Sequence, residues 1–239
     1  MTIRTTLLTT LAGAIDRIRQ DWPLRIAVDG RTASGKTTLA DALAVALRER
    51  RPEVIRSSID GFHRPRAQRY ARGRYSAEGY YHDARDLDAV MALLLTPLGP
   101  GGDRVYRTAS FDLAADRPIT QPPQTARPDA ILIVDGTFLQ RPELRRGWDL
   151  TIFIDTSEAI AERRGIARDA ASAGDSDAVR SLYASRYRPA YDLYAEQSAP
   201  AASADVVIGN DDFDQPTMRL RPGGRLSEPM PHVPGIAGS

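Results

Sequence analysis

Apolar side chains recur at helical spacing near the start of the chain. A period close to 3.6 residues is typical of an amphipathic helix that packs against a core. The segment superficially resembles a signal peptide, but its apolar part is diluted by threonine and runs directly into Asp16, Arg17 and Arg19. We therefore predict a helix over residues 4–20, with an apolar face made by Ile3, Leu7, Leu8, Leu11, Ile15 and Ile18.

Short apolar runs alternate with helical patterns through the rest of the chain. The apolar runs predict strands at 24–28, 54–59, 130–136, 150–154 and 205–208. The helical patterns cover residues 36–50, 86–96, 157–173 and 176–198. Because strands that alternate with helices form parallel, doubly wound sheets, the pattern predicts a single α/β domain over residues 1–210. We expect a sheet of about five parallel strands, flanked by helices.

Three stretches lack this regularity. Residues 60–85 are dense in Arg, Tyr and Gly, and residues 97–130 hold many prolines with one predicted β pair, 104–108 against 110–113. From residue 211 onward Gly, Pro and Arg dominate, which favours a disordered tail over 211–239. The first stretch follows the end of a strand, at the edge where open α/β sheets bind ligands, so we favour a substrate-facing segment over a solvated loop.

Composition narrows the class of partner. The 239 residues carry a formal net charge of +1 and no cysteine, and the apolar runs fall well short of a membrane span. Nothing in this balance favours nucleic acid, a membrane surface or thiolate metal sites. We expect a cytoplasmic protein with a small-molecule acceptor as its partner, and a homo-oligomer stays open.

The first strand leads into the most informative stretch of the chain. Residues 30–37 match G-x-x-x-x-G-K-[ST] at every fixed position, between a strand and a helix. Backbone N–H groups of such a loop and of the helix that follows cradle phosphates. Lys36, the only lysine in the chain, would reach the outer phosphates, and Thr37 would ligate magnesium. The predicted nucleotide-binding residues are Gly30, Arg31, Thr32, Ala33, Ser34, Gly35, Lys36, Thr37 and Thr38.

Two aspartates follow predicted strands. Asp135 ends the most apolar strand and is the acidic element that would hold magnesium with Thr37. Asp60 ends the strand after the phosphate-loop helix, where a carboxylate could accept the proton of a hydroxyl that is being phosphorylated. Each has a structural alternative, because Asp135 and Asp60 both precede a glycine and could simply form turns.

Arg164 and Arg168 lie four residues apart on one predicted helix, within a lid at about 157–175. Two guanidinium groups on one helix face could clamp a transferring phosphate when the lid closes. Spacing alone would equally describe a solvated basic face. His63 and His82 could be substrate contacts, and nothing pairs them as metal ligands.

Six segments in order resemble the uridine kinase and phosphoribulokinase branch of P-loop kinases. The resemblance runs through most of residues 24–210 and rests on IAVDGRTASGKTT, SSIDGFHRP, YYHDARDLDA, ILIVDGTFL, RRGIARD, and YASRYRPAYDLY followed by ADVVIGN. It implies a nucleoside-kinase-like P-loop NTPase fold with a helical lid, and transfer of the γ-phosphate of ATP or GTP to a hydroxyl. It also implies that Asp60 is the catalytic aspartate and that Arg164 and Arg168 are lid arginines.

The acceptor side departs from the family pattern. Uridine kinases hold the pyrimidine with a Tyr-Asp-Phe segment and a nearby histidine, whereas this chain has Phe111-Asp112-Leu113 and no histidine there. The central strand ends in Asp135, where many uridine kinases have Glu. The resemblance places Tyr81 or Asp83 near the family's sugar-hydroxyl contacts. The full set of predicted acceptor residues is Asp60, His63, Arg64, Tyr81, Asp83 and Tyr106. Alternatively, Tyr80, Tyr81, Tyr106 and Arg107 could build a different acceptor pocket.

The sequence therefore predicts a magnesium-dependent kinase that uses ATP, or GTP, and a nucleoside-like acceptor. Alternative acceptors are a sugar phosphate and a pantothenate-like alcohol. A regulatory nucleotide-binding module is the competing class, but the guanine-reading N/T-K-x-D motif is excluded because the single lysine lies in the phosphate loop. Nucleic-acid binding by residues 64–85 is the weakest alternative, since the chain has no basic excess overall.

Overall fold

A twisted sheet lies at the centre of the protein. The computed structural model describes residues 2–226, apart from the side chains of residues 172 and 173. The sheet has six strands in the order β10-β9-β8-β1-β7-β2. These strands are β1 (Leu24–Gly30), β2 (Val54–Ser58), β7 (Ile131–Gly136), β8 (Leu150–Asp155), β9 (Val206–Gly209) and β10 (Thr217–Leu220). All neighbours pair in parallel except β9 and β10.

Helices cover both faces of the sheet, and several continue into π turns. The helices are α1 (Ile3–Asp16), α2 (Lys36–Arg48), α3 (Arg66–Arg69), α4 (Leu87–Val90), α5 (Pro142–Arg145), α6 (Glu158–Ala173), α7 (Ser176–Leu182), α8 (Arg188–Ser198) and α9 (Pro200–Ser203). A 3₁₀ turn covers Ile59–Phe62, and π turns cover Gly79–Asp83, Met91–Leu95 and Tyr183–Tyr187.

Two apolar clusters hold the layers together. One packs α1 and α2 on the first face of the sheet, with Leu11, Leu43 and Ile133 at its centre. The other packs the segment around α4 on the opposite face, through Leu94 and Leu132. Because β1 and β7 are buried along their whole length, their apolar runs are continuous rather than alternating, as is typical of a parallel sheet.

The predicted fold class and the five parallel strands are confirmed. The sixth strand, β10, lies in the segment that was expected to be disordered from residue 211. There Met218 is buried and Leu220 packs against the first core cluster, so a short alternating pattern adds an antiparallel edge. The rest of the predicted tail, residues 227–239, lies outside the described residues.

The predicted β pair at 104–108 and 110–113 also differs from the structure. β3 (Val105–Tyr106) pairs with β6 (Gln124–Thr125), and β4 (Phe111–Asp112) pairs with β5 (Arg117–Pro118). Within residues 2–226, a helix of the length and apolarity that a bilayer crossing requires is not found.

Candidate active site

The phosphate loop joins β1 to α2 and depends on its two glycines. Gly35 has φ of 96°, and a Cβ there would lie 2.6 Å from Nδ2 of Asn210. A Cβ on Gly30 would lie 2.7 Å from the backbone oxygen of Ile154. Both positions therefore exclude a side chain, and the loop is held from behind by Asn210, whose Nδ2 donates to the backbone oxygen of Ser34 at 2.7 Å.

Lys36 lies folded into this loop. Its side chain is largely buried, and Nζ donates to the backbone oxygen of Arg31 at 2.6 Å. Burial lowers the pKa of Lys36 to about 8, although Asp29, Asp60 and Asp135 oppose the shift. The Arg31 guanidinium lies over the ring of Tyr191, 4.3 Å from its centroid, and pairs with Glu158 at 3.3 Å.

Thr37 and Asp135 meet as the sequence predicts for a magnesium site. The Thr37 hydroxyl donates to Oδ2 of Asp135 at 2.5 Å. The other carboxylate oxygen accepts from Nη2 of Arg56 at 2.9 Å, and the same guanidinium also pairs with Asp41. Within the described residues no group of three or more His, Cys, Asp or Glu could hold a metal by itself. The donor set fits an octahedral ion that takes its remaining ligands from phosphate oxygens and water.

Asp29 at the end of β1 is a buried carboxylate whose role the sequence did not indicate. It accepts hydrogen bonds from the Gly30 amide at 2.7 Å, from Nε2 of Gln140 at 3.1 Å, and from the hydroxyl of Tyr194. Burial raises the pKa of Asp29, although the three hydrogen bonds act to lower it. The cluster ties the start of the phosphate loop to α8 and to the segment after β7.

Asp60 lies in the 3₁₀ turn that follows β2. Its Oδ1 accepts from Nη2 of Arg85 at 2.8 Å, while 61% of the Asp60 side chain stays exposed. Burial of the carboxylate opposes a downward shift, but the charge of Arg85, together with that of Lys36, holds the pKa of Asp60 below its usual value. His63 donates from Nδ1 to the backbone oxygen of Asp60 at 2.8 Å. Burial and the charge of Arg85 lower the pKa of His63 to about 4, so the imidazole is neutral.

Two cavities meet at the phosphate loop. The loop cavity, of about 270 Å³, is lined by Ala33, Gly35, Lys36, Thr37, Thr38, Arg164, Arg168, Asn210 and Phe213. The Asp60 cavity, of about 320 Å³, has Asp60, His63, Tyr80, Arg85, Asp135 and Arg186 among its lining residues. Ala33, Lys36, Thr37 and Arg168 line both. A group bound on the loop would therefore face a group bound beside Asp60.

Arg164 and Arg168, the predicted lid arginines, differ in their contacts. Arg168 lines both cavities and pairs with Asp169, its Nε lying 2.7 Å from Oδ1. Arg164 lines the loop cavity alone and donates to the backbone oxygens of Asn210 and Asp211, each at 2.8 Å. Arg164 thus anchors the segment that carries Phe213 to the cavity edge.

Four predicted acceptor residues lie away from the Asp60 cavity. Tyr81 is buried in an aromatic cluster with Phe138 and Tyr194, and its hydroxyl donates to Gln197 at 3.0 Å. Asp83 pairs with Arg72 at 2.8 Å, and Tyr106 is buried in the second core cluster. Arg64 contributes its backbone oxygen to Nε of Arg69, and its side chain does not line the cavity.

Other aromatic and basic residues line the Asp60 cavity instead. Tyr80, next to Tyr81 in the π turn, lines the Asp60 cavity, as do Arg69, Tyr70 and Tyr187. The Arg- and Tyr-rich composition of residues 60–85 and 183–191 was the available signal for this wall. The sequence could not tell which of these residues point inward.

Comparison with known proteins agrees with this geometry. A family model described as the phosphoribulokinase / uridine kinase family matches residues 25–211. Uridine-cytidine kinase B of Dictyostelium discoideum is 30% identical over 187 residues, which cover 78% of this chain and 74% of that protein. A solved structure described as a possible uridine kinase from Bacillus stearothermophilus superimposes with a TM-score of 0.65 at 27% identity, covering 85% of this chain and 96% of that one.

Some relatives are considerably longer. The match to a chloroplastic uridine/cytidine kinase of Arabidopsis thaliana, at 26% identity over 191 residues, covers 79% of this chain and 38% of that protein. The family match includes every residue that lines the two cavities except Phe213. It also covers the strands of the sheet other than β10, apart from Leu24 at the start of β1. The chain therefore belongs to the phosphoribulokinase and uridine kinase family of P-loop kinases.

Proposed function

We propose that this protein transfers the γ-phosphate of ATP, or GTP, to the hydroxyl of a small alcohol. The observation that carries the proposal is the shared wall of the two cavities. Lys36, Thr37 and Arg168 line both, whereas Asp60 lines only one. Such an arrangement allows a phosphate donor and a hydroxyl acceptor to bind on either side of the groups that neutralise the transferring phosphate.

The loop cavity would bind the donor. Backbone N–H groups of the loop and the N-terminus of α2 would hold the phosphates, with Lys36 on the outer ones. Thr37 and Asp135 would hold a magnesium ion, which supplies positive charge to the phosphate oxygens. Arg168, exposed for 63% of its side chain, can turn toward the charge that develops during transfer.

Asp60 would position the acceptor hydroxyl and take its proton. The hydroxyl oxygen bonds to the γ-phosphorus, the bond to the bridging oxygen breaks, and the proton passes to the Asp60 carboxylate. Because the pKa of Asp60 is lowered, the carboxylate is ionised at neutral pH and available to accept a hydrogen bond. A loose transition state requires orientation of the nucleophile more than a strong base.

The names of the relatives make a pyrimidine nucleoside one candidate acceptor. Residues 111–113, which correspond to the pyrimidine-binding segment of uridine kinases, form part of a short strand and turn here. Phe111 is buried, and the Asp112 carboxylate accepts hydrogen bonds from the amides of Ala114 and Ala115, each at 3.0 Å. Of residues 111–113, Leu113 alone lines the Asp60 cavity. A sugar phosphate and a pantothenate-like alcohol therefore remain candidates beside the nucleoside.

The test is Asp60→Asn, assayed by acceptor-dependent ADP release and by nucleotide binding. We expect turnover to fall roughly 100-fold or more while the Kd for ATP changes little, since Asp60 does not line the loop cavity. Asp88→Asn, an exposed position on α4, is the matched control and should keep wild-type turnover. Nucleotide binding without ADP release for any acceptor would instead favour a regulatory nucleotide-binding module.

A further inference from the structure

Three buried arginines form the wall of the Asp60 cavity that lies away from the phosphate loop. Arg69, Arg85 and Arg186 are 6%, 5% and 6% exposed, and none of them lines the loop cavity. They come from α3, from the segment before α4, and from the π turn before α8. Arginines brought together from three separate elements indicate a built feature rather than a solvated basic face.

Arg186 has no carboxylate partner among the residues that the structure describes. Across residues 2–226, no carboxylate oxygen lies within 4.0 Å of its guanidinium, and its buried Nε makes no hydrogen bond. Its guanidinium carbon lies 4.7 Å from the ring centroid of Tyr80 and 5.0 Å from that of Tyr70. Aromatic faces attract a cation but do not replace the hydration that a buried charge loses.

The other two arginines each have one carboxylate partner. Arg85 pairs with Asp60 through Nη2, but its buried Nε and Nη1 have no hydrogen-bond partner. Arg69 pairs with Asp116 at 2.7 Å. Around the whole cavity, cationic side chains outnumber anionic ones: Lys36, Arg69, Arg85, Arg168 and Arg186 against Asp60, Asp135 and Asp169.

The positive wall continues outward. Arg69, Tyr70 and Leu113 also line a neighbouring cavity of about 550 Å³, together with Arg66 and Arg74. Burial would raise the pKa of the Tyr70 phenol. The hydrogen bond and charge of Arg186, with the charges of Arg69 and Arg74, outweigh burial and lower this pKa. Arginine side chains thus extend from the Asp60 cavity into a neighbouring cavity that shares no residue with the phosphate loop.

We propose that the acceptor alcohol carries an anionic group, a phosphate ester or a carboxylate, which binds to Arg186 together with Arg85 and Arg69. This assignment rests on the proposed kinase function and names the class of its acceptor. Guanidinium groups bind such oxygens through paired, charge-assisted hydrogen bonds. The acceptor's hydroxyl would lie at Asp60, between this wall and the phosphate loop. A neutral nucleoside would leave the charge of Arg186 buried and unpaired.

A binding experiment tests the anion site without turnover. The protein is saturated with magnesium and the ATP analogue AMPPNP, so that the phosphate loop is filled, and inorganic phosphate is titrated by calorimetry. We expect phosphate to bind, and Arg186→Met to weaken it about 10-fold or more, since a hydrogen bond to a charged group contributes about 1.5–3 kcal/mol. Arg180→Met, an exposed arginine on α7, is the matched control and should bind phosphate like the wild type.

Equal phosphate affinity in the wild type and Arg186→Met would overturn the proposal, as would absence of phosphate binding to the AMPPNP complex. Failure of AMPPNP itself to bind would instead count against the kinase function.

A second measurement uses the wild-type protein alone and covers the case in which Arg186→Met does not fold. ADP release is compared for ribose, ribose 1-phosphate, ribose 5-phosphate and ribonate, and for uridine against orotidine, whose added carboxylate leaves every hydroxyl of uridine free. We expect the anionic compounds to have a higher kcat/KM than the neutral ones. Comparing the phosphate esters with the carboxylates then shows which of the two anionic groups the site prefers. A neutral member that is the better acceptor throughout would overturn the anionic class while leaving the kinase function intact.

Discussion

Lys36 provides a quantitative prediction, because nucleotide binding must change its protonation. In the free protein, burial lowers the pKa of Lys36 to about 8, and Arg168 adds to this effect. A polyphosphate bound on the loop places several negative charges beside the ammonium and therefore raises its pKa again. Binding should then take up protons at any pH where the free lysine is partly neutral.

The size and sign of this uptake follow from the two pKa values. With a pKa of about 8, the free lysine is about nine-tenths protonated at pH 7, about half at pH 8 and about one-tenth at pH 9. If the bound lysine stays fully protonated, uptake per nucleotide is about 0.1, 0.5 and 0.9 proton at these pH values. Nucleotide affinity should weaken as the pH rises above 8, approaching about tenfold per pH unit.

Isothermal titration calorimetry measures this uptake directly. Binding of magnesium AMPPNP is recorded at each pH in two buffers with different ionisation enthalpies, and the difference in observed enthalpy gives the number of protons. Phosphate groups, with a second pKa near 6, contribute little above pH 8. The chain has no second lysine to confuse the result. Uptake that does not increase between pH 7 and pH 9 would refute the buried, partly neutral Lys36.

Two substitutions test other parts of the donor side. Tyr194→Phe removes the hydroxyl that donates to Asp29 and accepts from the amide of Gln140, and we expect the free energy of unfolding in urea to fall by about 1–3 kcal/mol. An unchanged urea midpoint would show that this cluster does not hold the loop. Phe213→Ala removes the ring that lines the loop cavity beneath Arg4, and we expect the KM for ATP to rise roughly fivefold or more at constant kcat. An unchanged KM would mean that the ring makes no contact with the nucleotide base.

The placement of the proposed donor site was predictable because its sequence signals are contiguous. Glycines at 30 and 35 with Lys36 and Thr37 occupy one short stretch, and a strand and a helix on either side supply the context. Asp135 and Asp60 follow from a second rule, since parallel strands end at the same edge of a sheet. The structure brings both of them to the Asp60 cavity, which Lys36 also lines.

The acceptor side was not predictable in the same way, because its residues depend on the rotation of short helical turns. Tyr80 and Tyr81 are neighbours in one π turn, yet Tyr80 lines the Asp60 cavity and Tyr81 packs in the core. Successive residues on a helix point about 100° apart, so a turn with little apolar periodicity does not reveal its inward face. Arg186 lies about 100 residues after its neighbours Arg85 and Tyr80, and only the tertiary fold brings it there.

Positioning residues were missed for a related reason. Arg56 holds the carboxylate of Asp135 from an adjacent strand, and Tyr194 reaches Asp29 from a helix far along the chain. Neither belongs to a local motif. Their roles arise from side-chain partners that sequence spacing does not encode.

Mass spectrometry of the acceptor after incubation with ATP and magnesium most directly tests whether phosphoryl transfer joins the two cavities. The wild type and Asp88→Asn should form a phosphorylated alcohol in amounts equal to the ADP released. Asp60→Asn should form almost none of it while binding ATP like the wild type. Release of ADP with inorganic phosphate alone, or product formation by Asp60→Asn at the wild-type rate, would contradict a kinase that positions its acceptor at Asp60.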